Sequence, residues 1–386
     1  MPSPGSTLGV LMQMGGTLRD YASNGQIDNL FRYHLAGYLK VFERILFFSY
    51  RDERIEDFTD DPVFRARIAV VPNRSRLPDK LYALVLPFVH PAAVRSCSVF
   101  RVLQAMGTPP TIMARKAYGV PYVTTFGYQY SEFARIERSR LKGRVVSLLE
   151  RAAVRWADAV IVTTEAMRRY VAGFGGSPRV LMIPNGIDTT LFNPVGPRAP
   201  GSGSDPNVLF VGRLERQKNL GALVEALGIV RRRHPVRLTL VGDGSLRDDV
   251  ARRAAAAGVS VDFVGVVPNT QLPMYYRTAD VFALPSLAEG HPKALLEAMS
   301  SGLACVVSTC EGNRSVIEPG ETALVHEPLD VGALAQAIER VLTEPSLRKS
   351  LGRRARDLAA ARFDITRALD ATNVLLHDVA ARRGRV

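Results

Sequence analysis

Only three cysteines, Cys97, Cys305 and Cys310, occur in 386 residues, and no two of them stand in a C-x-x-C spacing. That scarcity excludes a disulfide framework and a structural zinc site, and it fits a reducing compartment. Long apolar runs are missing too. The longest apolar run lacking charge, LYALVLPFVHPAAV at 81–94, is interrupted by prolines and falls short of the ~20 residues a membrane-spanning helix needs. The N-terminal MPSPGSTLGVLMQMGG carries no basic flank and too short an apolar core for a secretory signal, so a cytoplasmic protein is expected. No D-x-D pair is present, nor a G-x-G-x-x-G or G-x-x-x-x-G-K-[ST] loop, and the histidines are scattered. Metal-bridged phosphate chemistry, NAD binding and P-loop chemistry therefore lose support, and no metal and no cofactor are expected.

What is present is an ample apolar fraction, 47% of residues, on a chain long enough for two full cores. Positive charge is in excess by 13 and is unevenly placed. Residues 1–200 hold 26 Lys and Arg against 16 Asp and Glu, and residues 201–386 hold 24 against 21. A one-sided field favours an anionic surface or substrate on the first half. Arginine outnumbers lysine 43 to 7, so a GC-rich genome accounts for the excess equally well.

Short β-rich runs alternate with helical patterns, the signature of parallel sheets covered by helices. The runs expected as strands are 8–14, 44–50, 67–71, 99–105, 122–126, 159–164 and 180–184, then 207–212, 236–242, 261–265, 280–285, 304–309 and 322–327. Between the two series, NPVGPRAPGSGSD breaks the alternation with Pro, Gly and Ser, as a linker does. The expected architecture is two Rossmann-like domains with parallel sheets facing a central cleft. The first covers 1–196, the linker 197–206 and the second 207–362, with a last amphipathic helix over 363–386. Ligands in such sheets bind beyond the carboxyl ends of the strands.

Several loops at those ends carry chemistry. After VLFV come Gly212, Arg213 and then Lys218 at a helix start, two cations beside N–H groups that favour anions. Alone, solvated cations on a βα loop would look the same. A second glycine loop, Gly242-Asp243-Gly244, ends another strand, and Gly15-Gly16 follows the first. The run LAEGHPKALLEAMSSG at 287–302 places Glu289 and Gly290 before Pro292, which suits a first helical position, and Glu297 well inside the helix. Carboxylates so placed accept hydrogen bonds from sugar hydroxyls and stabilise a developing positive charge.

In order along the chain, PNGID (184–188), VGRLERQKN (211–219), VGDGSLRDDV (241–250), VDFVG (261–265) and Glu289-x7-Glu297 resemble the group 1 family of retaining glycosyltransferases of the glycosyltransferase-B fold. The resemblance spans about 184–327. It implies that Arg213 and Lys218 grip the diphosphate of a nucleotide-sugar donor and that Glu297 binds its ribose. Glu289 would contact the donor sugar at the reacting centre, with the backbone of Gly290 and His291 close by and Gly212, Asp243 and Gly244 lining the donor site. Gly15-Gly16 would be the loop that closes on the donor and approaches the acceptor.

One departure stands out. Many relatives carry a histidine after the fourth or fifth strand, whereas TTFGYQYSEF (124–133) offers Phe126-Gly127. Tyr128 and Glu132 are the acceptor candidates there. The acceptor would be a saccharide or lipid-linked saccharide of cell-envelope or exopolysaccharide biosynthesis. The stretch 134–156 puts five basic residues before an apolar-striped helix, which suits peripheral contact with an anionic membrane surface or simply a core-facing helix with solvated arginines. Three rival readings remain: a nucleotide-sugar epimerase of the same fold, a catalytically dead scaffold, against which the intact Arg213, Lys218, Glu289 and Glu297 argue, and a basic nucleic-acid-binding protein. The last lacks aromatics interleaved on a basic strand face, so no nucleic acid is expected.

Overall fold

In the computed structural model, the described residues are 3–132, 140–176, 178–196, 199 and 205–383. Most of the linker at 197–206 and the basic residues Arg135 and Arg138 fall outside them, as do the side chains of Arg140 and Lys142. Two compact units form. The first runs to Pro184 and regains the chain from Ala368, and the second spans Asn185–Arg367.

Each unit is built on one parallel sheet. In the first, β1 (Ser3–Leu11), β2 (Phe42–Phe48), β3 (Ile68–Val71), β4 (Val99–Val102), β5 (Tyr122–Phe126), β6 (Ala159–Val162) and β7 (Arg179–Met182) lie in the order β3-β2-β1-β4-β5-β6-β7. In the second, β8 (Asn207–Val211), β9 (Arg237–Val241), β10 (Ser260–Gly265), β11 (Val281–Leu284), β12 (Ala304–Ser308) and β13 (Ala323–His326) lie in the order β10-β9-β8-β11-β12-β13. Every strand run in the sequence reading is a strand here, because each is rich in β-branched, aliphatic or aromatic residues; the central strands are buried on both faces, while the edge strands β3, β7 and β10 are partly exposed. Its ends differ by a few residues. β1 starts early because Ser3 pairs with Phe42 across a register shift, and it stops early where Gly16 donates back to the Gln13 carbonyl.

Both strand orders reverse direction once, between β1 and β4 and between β8 and β11. At such a switch point the flanking loops diverge and leave room for a ligand. In the first unit, the helices Asp79–Val89, Pro109–Tyr118 and Arg140–Arg155 cover one sheet face. The helical turns over 27–38 and the C-terminal helix Ile365–Arg383 cover the other, burying Tyr38, Leu375 and Leu376.

The contact boundary falls at Pro184–Asn185 rather than at the composition break near 197. The reason lies in PNGID. Asn185 Nδ2 donates to the His291 carbonyl (2.9 Å), Ile187 N donates to the Phe363 carbonyl (2.7 Å), and Phe192 packs edge-on to Tyr276. These ties hold residues 185–192 in the second core before the linker begins.

Candidate functional site

β8 and β11 are neighbours at the switch point of the second sheet, and their loops are stitched together. The turn Arg216–Lys218 follows β8, and Asn219 closes it at φ 55. Asn219 Nδ2 donates to the carbonyls of Pro285 (3.3 Å) and Pro328 (2.8 Å), and Gln217 Nε2 donates to that of Ala288 (2.6 Å). Held in this way, Lys218 Nζ lies 2.5 Å from Glu289 Oε1, and Ser286 Oγ donates to the same oxygen at 2.7 Å. Both side chains of the pair are largely buried, at 14% and 7% exposure, so water screens the attraction little. Lys218 and Glu289, predicted separately from sequence, are thus direct partners.

Arg213 is different. It is exposed, and among the described residues it has no ion-pair partner. One cation at this edge is therefore committed to a carboxylate and one is free.

The glycine loops stand directly behind. Gly212 N donates to the Val241 carbonyl and Leu214 N to the Asp243 carbonyl, both at 2.9 Å. A Cβ on Gly244 would come within 2.6 Å of the Leu214 backbone, so only glycine lets these two loops touch. Asp243 caps its own neighbour, Oδ1 accepting from Gly244 N at 2.8 Å. Gly312, which the sequence reading passed over, serves Glu289 in the same way: a Cβ there would sit 2.3 Å from the Glu289 carbonyl. A glycine just past a strand in Cys310-Glu311-Gly312 was the available signal.

The helix after Glu289 runs Lys293–Ser300, with Pro292 as its N-cap rather than its first turn. Pro292 sits at ψ 104, extended, and its ring has no polar atom to cap the first N–H groups of the helix, which has no side-chain cap bond. Burial pushes the His291 ring down to about 3, holding it neutral with its edge toward Phe363. What Gly290 and His291 offer at this mouth is backbone. Glu297 lies inside, 5% exposed, its Oε2 accepting from Tyr276 Oη (2.8 Å) and its Oε1 from Asn269 Nδ2 (3.3 Å). Burial raises its carboxyl to about 7, against the opposing pull of Tyr276, Lys293 and Asn269.

The first unit presents fewer charges. Gly15 turns the chain at φ 79 beside the Arg51–Asp79 ion pair, and Gly16 completes the turn. The next helix, Leu18–Ser23, is capped by its own carboxylates: Asp20 bonds Thr17, and buried Glu53 accepts from Leu18 N (3.1 Å), Arg19 N (3.0 Å) and Ser49 Oγ (2.6 Å). Phe126 is fully buried among Tyr130, Tyr170 and Phe174. The neighbouring Thr125 takes the opposite face and accepts from Arg101 Nη2 at 2.7 Å. Arg101 is 7% exposed and bonds only neutral oxygens among the described residues, those of Tyr38, Val102 and Thr125. A lone arginine inside the apolar run VFRVL was a visible signal that the sequence reading did not use. Tyr128 lies against Tyr130 at 4.1 Å, while Glu132 is exposed, its N bonding the Gln129 carbonyl. Among the described residues, no three His, Cys, Asp or Glu side chains converge as metal ligands would.

Two doubly wound sheets, one with cations and carboxylates gathered at its switch point, make up an α/β protein with a site for an anionic ligand. Residues 198–358 match the family model of glycosyl transferases group 1, and residues 44–186 match that of the glycosyl transferase 4-like domain. Glycogen synthase of Mycobacterium tuberculosis is 32% identical over 282 residues, covering 71% of this chain and 67% of that protein. Sucrose-phosphate synthase of Thermosynechococcus elongatus superposes with a TM-score of 0.76 at 21% identity, over 98% of this chain and 100% of that one. Anabaena HepE, solved in complex with UDP and glucose, superposes at 0.75 with 20% identity, over 97% and 100%. The chain belongs to the group 1 glycosyltransferase family and has the glycosyltransferase-B architecture.

Proposed function

We propose that this chain moves a sugar from a nucleotide-diphosphate sugar onto a saccharide or lipid-linked saccharide acceptor, with retention at the anomeric carbon and with no metal or cofactor of its own. The observation that carries the reading is the Lys218–Glu289 pair, which joins the two loops at the switch point of the second sheet. Free Arg213 and the uncapped start of the Lys293–Ser300 helix add positive potential around that pair. Charge growing on the departing diphosphate is stabilised there, in a partly dry site where fixed charges act strongly. Glu297, clamped on both oxygens, keeps lone pairs for the ribose hydroxyls. Glu289 is the carboxylate for the sugar. Glu289 is already bonded to Lys218 and Ser286, and among the described residues no other nucleophile is assigned to this site, so the acceptor attacks from the leaving-group face. The acceptor oxygen bonds to the anomeric carbon as the bond to phosphate breaks, and its proton passes to the departing phosphate oxygen. Gly15-Gly16, Tyr128 and Glu132 are assigned to the acceptor side. Cell-envelope or exopolysaccharide synthesis is the setting this acceptor class fits.

The UDP held by Anabaena HepE makes a uridine nucleotide the first to test. A thermal-shift titration with UDP, GDP and ADP on the wild type and Lys218→Ala checks the site. A nucleotide at a hundred times its dissociation constant adds ~2.7 kcal/mol to the wild type. One nucleotide should stabilise the wild type and not the variant. Equal stabilisation of both would remove Lys218 from the diphosphate site. Interconversion of a donor sugar without an acceptor would instead mark an epimerase.

A further inference from the structure

More than half of the exposed large apolar side chains among the described residues fall between Leu77 and Trp156, on one side of the first unit's sheet. On the Asp79–Val89 helix, Tyr82, Ala83 and Leu86 face the core, while Leu81 (53%), Leu84 (48%) and Phe88 (51%) form a stripe at spacings of three and four on the outside. Phe88 meets Tyr118 of the neighbouring helix at 6.2 Å, and Lys116 of that helix lies over the Trp156 ring at 4.2 Å. Trp156 follows the Arg140–Arg155 helix, which buries Ala153 and Val154 but leaves Val145 (52%) and Leu148 (68%) outside. A soluble surface rarely gathers apolar groups in this way without something to cover them.

The charges of the same layer say what covers them. The helices Asp79–Val89, Pro91–Ser96, Pro109–Tyr118 and Arg140–Arg155 contain nine Lys and Arg and two acids. Neither acid is free: Asp79 is bonded to Arg51, and Glu150 is fully buried, accepting from Tyr170 Oη and Ser131 N. Arg115 is paired with Asp158, and among the described residues Lys80, Arg95, Lys116 and Arg144 are exposed cations around the apolar stripe. Lys116 and Arg95 rest on Trp156 and Tyr118, the aromatic-plus-cation pairing that suits the level of lipid headgroups. No helix among the described residues is long and apolar enough to cross a membrane, so any lipid contact of this layer lies in the interface plane. We infer that the outer face of the 79–89, 109–118 and 140–155 helices docks on an anionic phospholipid surface, the apolar stripe entering between headgroups that Lys80, Arg95, Lys116 and Arg144 neutralise. The inference stands on this surface alone and is independent of the donor chemistry.

Vesicle flotation tests it, with phosphatidylglycerol-containing vesicles against pure phosphatidylcholine, at low and high salt. Wild type should float with the anionic vesicles only and be released by salt. Leu84→Glu with Phe88→Glu should cut partitioning about tenfold or more. Lys80→Glu with Lys116→Glu should do the same on anionic vesicles. Both pairs are exposed, so the thermal midpoint and nucleoside diphosphate binding should stay at wild-type values. Failure to float with anionic vesicles overturns the inference, as does equal flotation with neutral ones or unchanged partitioning of both variants. If the wild type ignores vesicles and self-associates in solution through this face, the occupant is a second copy and the lipid assignment is wrong.

Discussion

The two units share a strand order and differ in what they place at its reversal. In the first, the helix start beyond β1 is saturated from within, its N–H groups bonded to Glu53 and its cap closed by Asp20 and Thr17. In the second, the helix beyond β11 has proline at its cap and no side-chain bond, and the cations stand beside it. The loop after β1 is thus neutralised by a carboxylate of its own unit, and the loop after β11, on the other strand of its switch point, is open to an outside anion. Strand topology locates both positions; local capping decides which of them keeps N–H groups available to an anion.

The largest effect expected from breaking this contrast is at Glu53. It is 2% exposed and accepts three hydrogen bonds. Glu53→Ala leaves two backbone donors and a serine hydroxyl unpaired in the interior and should cost about 3–5 kcal/mol in chemical denaturation. Nucleotide binding in the second unit should survive wherever the variant is folded. A loss under 1 kcal/mol, on the order of an exposed cap, would show that water replaces the carboxylate.

Next comes Glu289→Gln. The amide keeps the shape but loses the charge that faces Lys218 and that the proposed function assigns to the sugar. Transfer should fall about 10²–10³-fold, and nucleoside diphosphate affinity should stay near wild type or rise as Lys218 is released. Parallel loss of transfer and binding would mean that the pair holds the loop together and takes no part in the chemistry.

Glu297 gives the next effect, with a defined sign. Its carboxyl is raised from an unfolded value near 4.5 to about 7. A raised acid contributes stability that is complete below pH 4.5 and is lost as pH climbs through 7. The span corresponds to roughly 3 kcal/mol. Unfolding curves between pH 4.5 and 8 should show this decline in the wild type and lack it in Glu297→Gln. The same slope in both proteins would place the titration elsewhere.

The architecture was legible because each buried strand is a short run of Val, Ile, Leu and Phe between turn residues, and parallel sheets leave that mark. Lys218, Glu289 and Glu297 were legible through spacing next to glycine and proline. Their partnership was not, since 71 residues separate Lys218 from Glu289 and nothing local records that β8 and β11 are neighbours. Arg101 and Glu53 escaped notice for the opposite reason. Arg101 is a single charge in an apolar run and Glu53 is one of six charges in RDERIED (51–57), and only the packed structure shows the burial that sets each apart. The first structural boundary was masked as well. Composition changes at the Pro-, Gly- and Ser-rich stretch, whereas Asn185 and Ile187 commit the chain to the second core earlier.

The smallest effect sharpens the comparison most, because it removes one oxygen from the second unit and nothing else. Tyr276 is 1% exposed, and its hydroxyl lies 2.8 Å from Glu297 Oε2 and 3.2 Å from the Ala294 carbonyl. A single proton serves one acceptor at a time, and the shorter contact to a carboxylate is the stronger. Tyr276→Phe keeps the ring that packs against Phe192 and Phe282, so it should cost only about 1 kcal/mol. Losing that donor leaves Glu297 with Asn269 and the Lys293 charge alone, which lifts its titration above the wild-type midpoint. The pH dependence of nucleoside diphosphate affinity, followed by calorimetry, should shift upward with its amplitude kept. If the midpoint stays in place while stability falls, the Tyr276 proton belongs to the Ala294 carbonyl, and Asn269 and Lys293 are left to hold the charged form of Glu297.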